Sequence, residues 1–149
     1  MGHRKAEAKL MRQPIYLVVG APGSGKTWLC RQLKDKFTYI PHDENIIPKQ
    51  HLDKTIAAAS WSDKPILIDT PFSVTQIVEP LKRLGLKITP VFVIETPRLT
   101  RERYENREGK PIPKGHLTRI ETYKKRALEL GAFKGTSTQV LQHLKDIKP

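Results

Sequence analysis

Three short apolar runs, each closed by a glycine or an acid, frame this 149-residue chain. Ile15 to Val19 is apolar throughout, carries two β-branched valines and stops at Gly20. It is too short for a helix and reads as a strand buried on both faces. Pro65-Ile66-Leu67-Ile68 repeats the pattern and stops at Asp69, and Leu86 to Glu95 gives a third strand. Between them the period changes. Leu29, Leu33 and Phe37 recur at every fourth position, which predicts an amphipathic helix over 25–37. Thr38 to Ile40 is a brief strand broken by Pro41, and 49–60 reads as a helix ending in alanines. Ser73 is placed to cap a helix that runs to Leu84 and stops at Gly85. Further helices are expected from about His116 to Gly131 and from about Thr136 onward.

Strands alternating with helices imply right-handed βαβ units around a mostly parallel sheet, an α/β fold. The reading is one domain over 14–149 behind a basic segment at 1–13, with no internal repeat and no low-complexity linker. Ligands of such sheets sit beyond the carboxyl ends of the strands. Three polar groups fall there: the glycine-rich loop after the first strand, His42-Asp43 after the second and Asp69-Thr70 after the third. Their convergence argues for a site more strongly than any one residue does.

Composition narrows the setting. No apolar run approaches the roughly 18 residues that a membrane span needs, and the first 13 residues lack the apolar core of a secretory signal. The single cysteine, Cys30, has no internal disulfide partner, which suits a reducing compartment; a cytoplasmic protein is expected. There are 27 Lys and Arg against 15 Asp and Glu, a net charge of +12 that favours phosphate-rich partners without naming one.

The most specific motif is Gly20-Ala21-Pro22-Gly23-Ser24-Gly25-Lys26-Thr27, a full Walker A pattern between a predicted strand and a predicted helix. Glycines let the backbone curl until several N–H groups face one anion, and the helix N-terminus adds partial positive charge. In this context Lys26 reaches the β- and γ-phosphates of ATP and Thr27 holds Mg²⁺.

Candidate residues for the acceptor side are fewer. Asp43, beyond the second strand, suits a base that takes the proton of an attacking hydroxyl; the alternative is a turn cap. Asp69 ends an apolar strand, where a charge needs a metal, a water network or a substrate to offset its burial; the alternative is a carboxylate paired with Lys26 or capping the next turn. No glutamate follows it to polarise a water, which favours transfer to an acceptor over hydrolysis. Arg101, Arg103 and Arg107 lie in a charged stretch that ends in Pro111-Ile112-Pro113. Arg103 and Arg107 share a face on a helix and suit a lid over a transferring phosphoryl group; the alternative is a solvated charged helix. Cys30 reads as a core residue. Trp28 and Trp61 are assigned to the core, with base stacking as the other option. His3, His51, His116 and His143 show no metal-ligand spacing.

Taken in order, the phosphate loop, His42-Asp43, Asp69-Thr70 and Arg103-x3-Arg107 before Pro113 resemble the 5′-hydroxyl kinase domain of phage polynucleotide kinases, over roughly 14–133. The resemblance implies a P-loop kinase fold with an arginine-rich lid. It further implies ATP and Mg²⁺ as cofactors and a nucleic-acid 5′ end as acceptor. By that resemblance Asp43 would be the general base, Asp69 would help place the acceptor, and Arg107 would be the lid arginine; Thr70 beside Asp69 is a further acceptor-binding candidate, and Arg103, on the helix face of Arg107, a further nucleotide-binding candidate. One position departs: where that family carries a phosphate-gripping arginine three residues after the base, this chain has Ile46. An apolar side chain there favours a second expectation, a small-molecule, nucleoside or modified-base kinase of the same fold. A nucleotide-gated binding module or ATPase is the third.

Overall fold

A computed structural model describes residues 11–41, 54, 56–69 and 74–147. The elements, in chain order, are β1 Met11–Arg12, β2 Ile15–Gly20, α1 Lys26–Arg31, β3 Thr38–Pro41, β4 Trp61–Ser62, β5 Ile66–Asp69, α2 Val74–Arg83, β6 Ile88–Val93, α3 Pro97–Glu108, α4 Lys114–Leu130, β7 Phe133–Gly135 and α5 Ser137–Lys145. Five strands form one sheet in the order β3-β5-β2-β6-β7, every pair parallel. The chain passes from β2 over β5 to β3 and later returns to fill the gap. A crevice therefore opens at the carboxyl end of β2, where the phosphate loop begins.

The strands are apolar on both faces because both faces are covered. Ile15, Leu17 and Val19 point to one side, where they join Ile68, Phe92, Leu81 of α2 and Ala127 of α4. Val18, Leu67, Val91 and Val93 point to the other and meet Leu29, Cys30, Leu33 and Phe37 with Val140 and Leu144 of α5. The alternation of Val18 with its neighbours is the two-residue period of a strand. In β6, Ile15 N–H donates to Lys87 O and Ile94 N–H donates to Gly135 O, so odd residues face β2 and even ones face β7. Pro90 accordingly turns its missing N–H toward β7, one position before the register of β7 begins at Val91↔Phe133.

The helix expected over 25–37 is regular only through Arg31. Beyond it the chain continues in tighter turns, with Leu33 N–H on Cys30 O and Lys36 N–H on Leu33 O. Leu33 and Phe37 are nevertheless buried, so the four-residue period marks the right face. Residues 56–59 are helical within the expected 49–60, and β6 is shorter than the apolar run that suggests it. Gly131 closes α4, and Thr136 caps α5 through a capping box with Gln139, as their positions suggest. Three short strands, β1, β4 and β7, are not evident from the sequence. Met11–Arg12, inside the segment set apart as a basic tail, pairs with Trp61–Ser62.

Both tryptophans depart from the core assignment. Trp28 is 50% exposed and Trp61 53% exposed. Trp28 stands on the outer side of α1 beside the phosphate loop, and Trp61 carries the Arg12 guanidinium 4.7 Å above its ring. Cys30 is buried, as expected, and burial followed by the nearby Asp69 charge pushes its thiol far above the ordinary range. Two outcomes follow. Leu17→Ala, which empties the centre of the sheet, should lower unfolding free energy by about 3 kcal/mol in urea titration. Cys30 should resist iodoacetamide in the native protein and react only after denaturation, as read by mass spectrometry.

Candidate phosphotransfer site

The candidate site is built on β2, because its neighbours fix where the loop starts. Val18 is in register with Asp69 of β5, and Gly20 with Val93 of β6. The loop then turns through Gly23 at φ 86° and Gly25 at φ 94°, conformations that side chains rarely adopt. A Cβ on Gly23 would also lie 2.6 Å from the backbone oxygen of Thr100. The arginine helix α3 thus rests directly on the phosphate loop.

Lys26 and Thr27 begin α1. Lys26 Nζ donates to Gly20 O at 2.9 Å, which bends the ammonium back over the loop. Burial lowers its pKa, Asp69 opposes that effect, and Arg119 and Arg107 reinforce it. Thr27 Oγ1 donates to Asp69 Oδ2 at 2.8 Å, and the Tyr39 hydroxyl donates to the same oxygen at 2.9 Å. Burial and the Asp69 charge raise the Tyr39 pKa, so the phenol stays a donor. Of the alternatives for Asp69, the pairing realised is therefore with Thr27 and Tyr39. A hydroxyl and a carboxylate, both hard oxygen donors, meet at one point. That set fits Mg²⁺, which takes one or two carboxylates and completes its shell with water and phosphate. No cluster of three His, Cys, Asp or Glu occurs among the described residues, so a cage supplied wholly by such side chains is not what these residues offer.

The arginines come next. Pro22, Gly23, Gly25, Lys26, Thr27, Trp28, Arg103 and Arg107 together bound a cleft of about 190 Å³. Arg103 NH1 donates to Ser24 O at 3.0 Å. Arg107 lies over the Tyr104 ring at 5.8 Å and its Nε donates to Glu108 at 3.0 Å, with its side chain largely in solvent. Arg101 is exposed and lines no part of that cleft. His42, Asp43, Ile46 and Thr70 lie outside the described residues. Phosphate loop, Asp69, Arg103 and Arg107 are thus brought together.

Four participants escaped the sequence reading. Tyr39 looks like any strand aromatic, and Arg119 like any helix surface cation. Ser137 is one of several hydroxyls after β7. Glu95 alone carried a signal, an acid at the end of an apolar strand as Asp69 is.

No protein-family model and no curated protein matches the chain. Solved structures do. A tunicamycin resistance protein of Deinococcus radiodurans superposes with a TM-score of 0.57 and 18% identity, covering 89% of this chain and 93% of that one. A shikimate kinase from Acinetobacter baumannii in complex with shikimate gives 0.54 and 15%, covering 96% and 99%. A gluconokinase from Sinorhizobium meliloti 1021 gives 0.50 and 16%, covering 74% of each chain. The fold is that of the P-loop kinases.

Lys26 sets a pH dependence. Between its lowered pKa and the ordinary 10.5 the unfolded chain binds more protons than the folded one, so this residue's contribution to stability rises with pH across that window. A bound polyphosphate restores the proton, so affinity for tripolyphosphate should fall over the same window. Calorimetric titration should show that fall, and Lys26→Met should flatten it.

Proposed function

We propose that this chain is an ATP-dependent kinase that transfers the γ-phosphate to a hydroxyl of a small molecule. One observation carries the reading: the cleft that joins the phosphate loop, Lys26 and Thr27 to Arg103 and Arg107. Loop amides and Lys26 would hold the β- and γ-phosphates, and the guanidinium groups would face the charge that grows on the transferring phosphoryl group. Thr27 and Asp69 would hold Mg²⁺, which would supply charge neutralisation for the phosphates.

In the proposed reaction the acceptor oxygen bonds to Pγ as the bond from Pγ to the bridging oxygen of the β-phosphate breaks. ADP leaves with that oxygen, and the acceptor proton passes to a base. Asp43 is our candidate for that base, since a carboxylate in its place along the chain follows the strand next to β5.

Two considerations favour a small acceptor. The chain carries Ile46 where a polynucleotide-gripping arginine would be expected, and solved structures of this fold include a gluconokinase and a shikimate kinase holding shikimate. The net charge of +12 keeps a polynucleotide 5′-hydroxyl as the second reading.

Incubation with Mg²⁺ and γ-labelled ATP, against nucleosides, sugar acids and 5′-hydroxyl oligonucleotides, tests both. Label in a small molecule supports the proposal, label in the oligonucleotide supports the second reading, and label only in free phosphate refutes transfer. Lys26→Ala should abolish transfer. Asp43→Asn should cut kcat by about a hundredfold or more while leaving ATP affinity near normal; full activity in that variant would remove Asp43 as the base.

A further inference from the structure

Glu95 lies just past the end of β6, is buried, and belongs neither to the phosphate loop nor to the Thr27–Asp69 pair. Its Oε1 accepts from the Ser137 N–H at 2.9 Å and from Ser137 Oγ at 3.0 Å, and lies 3.5 Å from Arg103 NH1. The two serine donors fix the carboxyl group against the start of α5. A neutral amide oxygen would satisfy them equally well. A buried carboxylate is costly, so the charge itself calls for a partner, and the guanidinium of Arg103 is the one present.

Arg103 is held at one corner. NH1 carries both the approach to Glu95 and the bond to Ser24 O at 3.0 Å. The guanidinium is planar and rigid, so fixing NH1 sets the direction of Nε and NH2. Those nitrogens are left for the spaces that Arg103 borders. One is the cleft over Lys26 and Thr27, and the other is an adjoining recess of about 290 Å³ with Gly25, Trp28, Ser137 and Thr138. A free arginine loses much rotamer freedom when it grips a ligand, whereas a tethered one has already lost it.

We propose that Glu95 is a positioning residue that tethers Arg103 across the phosphate loop, so that the remaining guanidinium donors meet the phosphates of a bound nucleotide. This rests on the nucleotide-binding reading above. Glu95 makes no contact with the nucleotide itself; it acts through Arg103, and with it β6, α3, the phosphate loop and α5 are joined by one carboxylate.

The test is the affinity for Mg²⁺·AMP-PNP by isothermal titration calorimetry, with melting temperature measured alongside. Arg103→Ala should weaken binding about tenfold, the worth of one charge-assisted hydrogen bond. Glu95→Gln keeps an acceptor for Ser137 and removes the charge; it should weaken binding about fivefold, the cost of ordering one long side chain. The double variant should bind no more weakly than Arg103→Ala alone, because the tether has nothing left to hold. Wild-type affinity in Glu95→Gln, or a double variant that loses the product of the two single effects, would overturn the proposal. Arg103→Lys, at a half-exposed position that does not depend on Glu95→Gln folding, should bind as weakly as Arg103→Ala; wild-type affinity there would also overturn it. Absence of Mg²⁺·AMP-PNP binding by the unaltered protein, or full binding by Lys26→Ala, would instead strike the nucleotide reading and take the tether with it.

Discussion

Everything at the cleft hangs on the register of β2 between two parallel neighbours. Val18 opposite Asp69 and Gly20 opposite Val93 bring an acid of one strand beside the loop that leaves another. The bond from Thr27 Oγ1 to Asp69 Oδ2 then closes the arrangement across the sheet. A slip of one residue would turn Asp69 to the opposite face and leave a charge among the apolar side chains of the core. Burial on both faces makes such a slip costly, because Ile15, Leu17 and Val19 would exchange places with Val18 at the same time. Packing, through the register, sets the site's geometry.

A basic cluster gathers where this register leads. Arg103 and Arg107 border the cleft with Lys26, and Arg119 joins Arg107 in disfavouring the lysine's protonated form. Among the described residues two buried acids answer them, Asp69 and Glu95, and each is already engaged by hydroxyl donors. Like charges held together in this way repel, so an anion that enters relieves strain as well as forming bonds. The overall +12 adds a diffuse attraction for anions.

How much of this the sequence discloses depends on the range of the interaction. Strands β2, β3, β5 and β6 and the phosphate loop are local patterns, and they appear within a residue or two of where they were expected. The arginine helix was legible too, since Arg103 and Arg107 fall four apart in a charged stretch and both border the cleft. What stayed hidden are partnerships across large separations. Tyr39 meets Asp69 across 30 residues and Glu95 meets Ser137 across 42, and nothing local marks either pair. The tryptophans mislead for a different reason. Large apolar rings are usually buried, but Trp28 follows the loop threonine on the outward side of α1, and Trp61 sits on a two-residue strand too slight to cover it.

Pro90 bears on the behaviour of the molecule among its own copies. β7 is an edge strand of three residues, and the part of β6 that it leaves unpaired is where another chain would add a strand. A proline whose ring occupies the donor position there withholds the hydrogen that such an intruder would need. The same substitution of ring for hydrogen that costs β6 nothing toward β2 makes this margin, among the described residues, a poor template for an added strand.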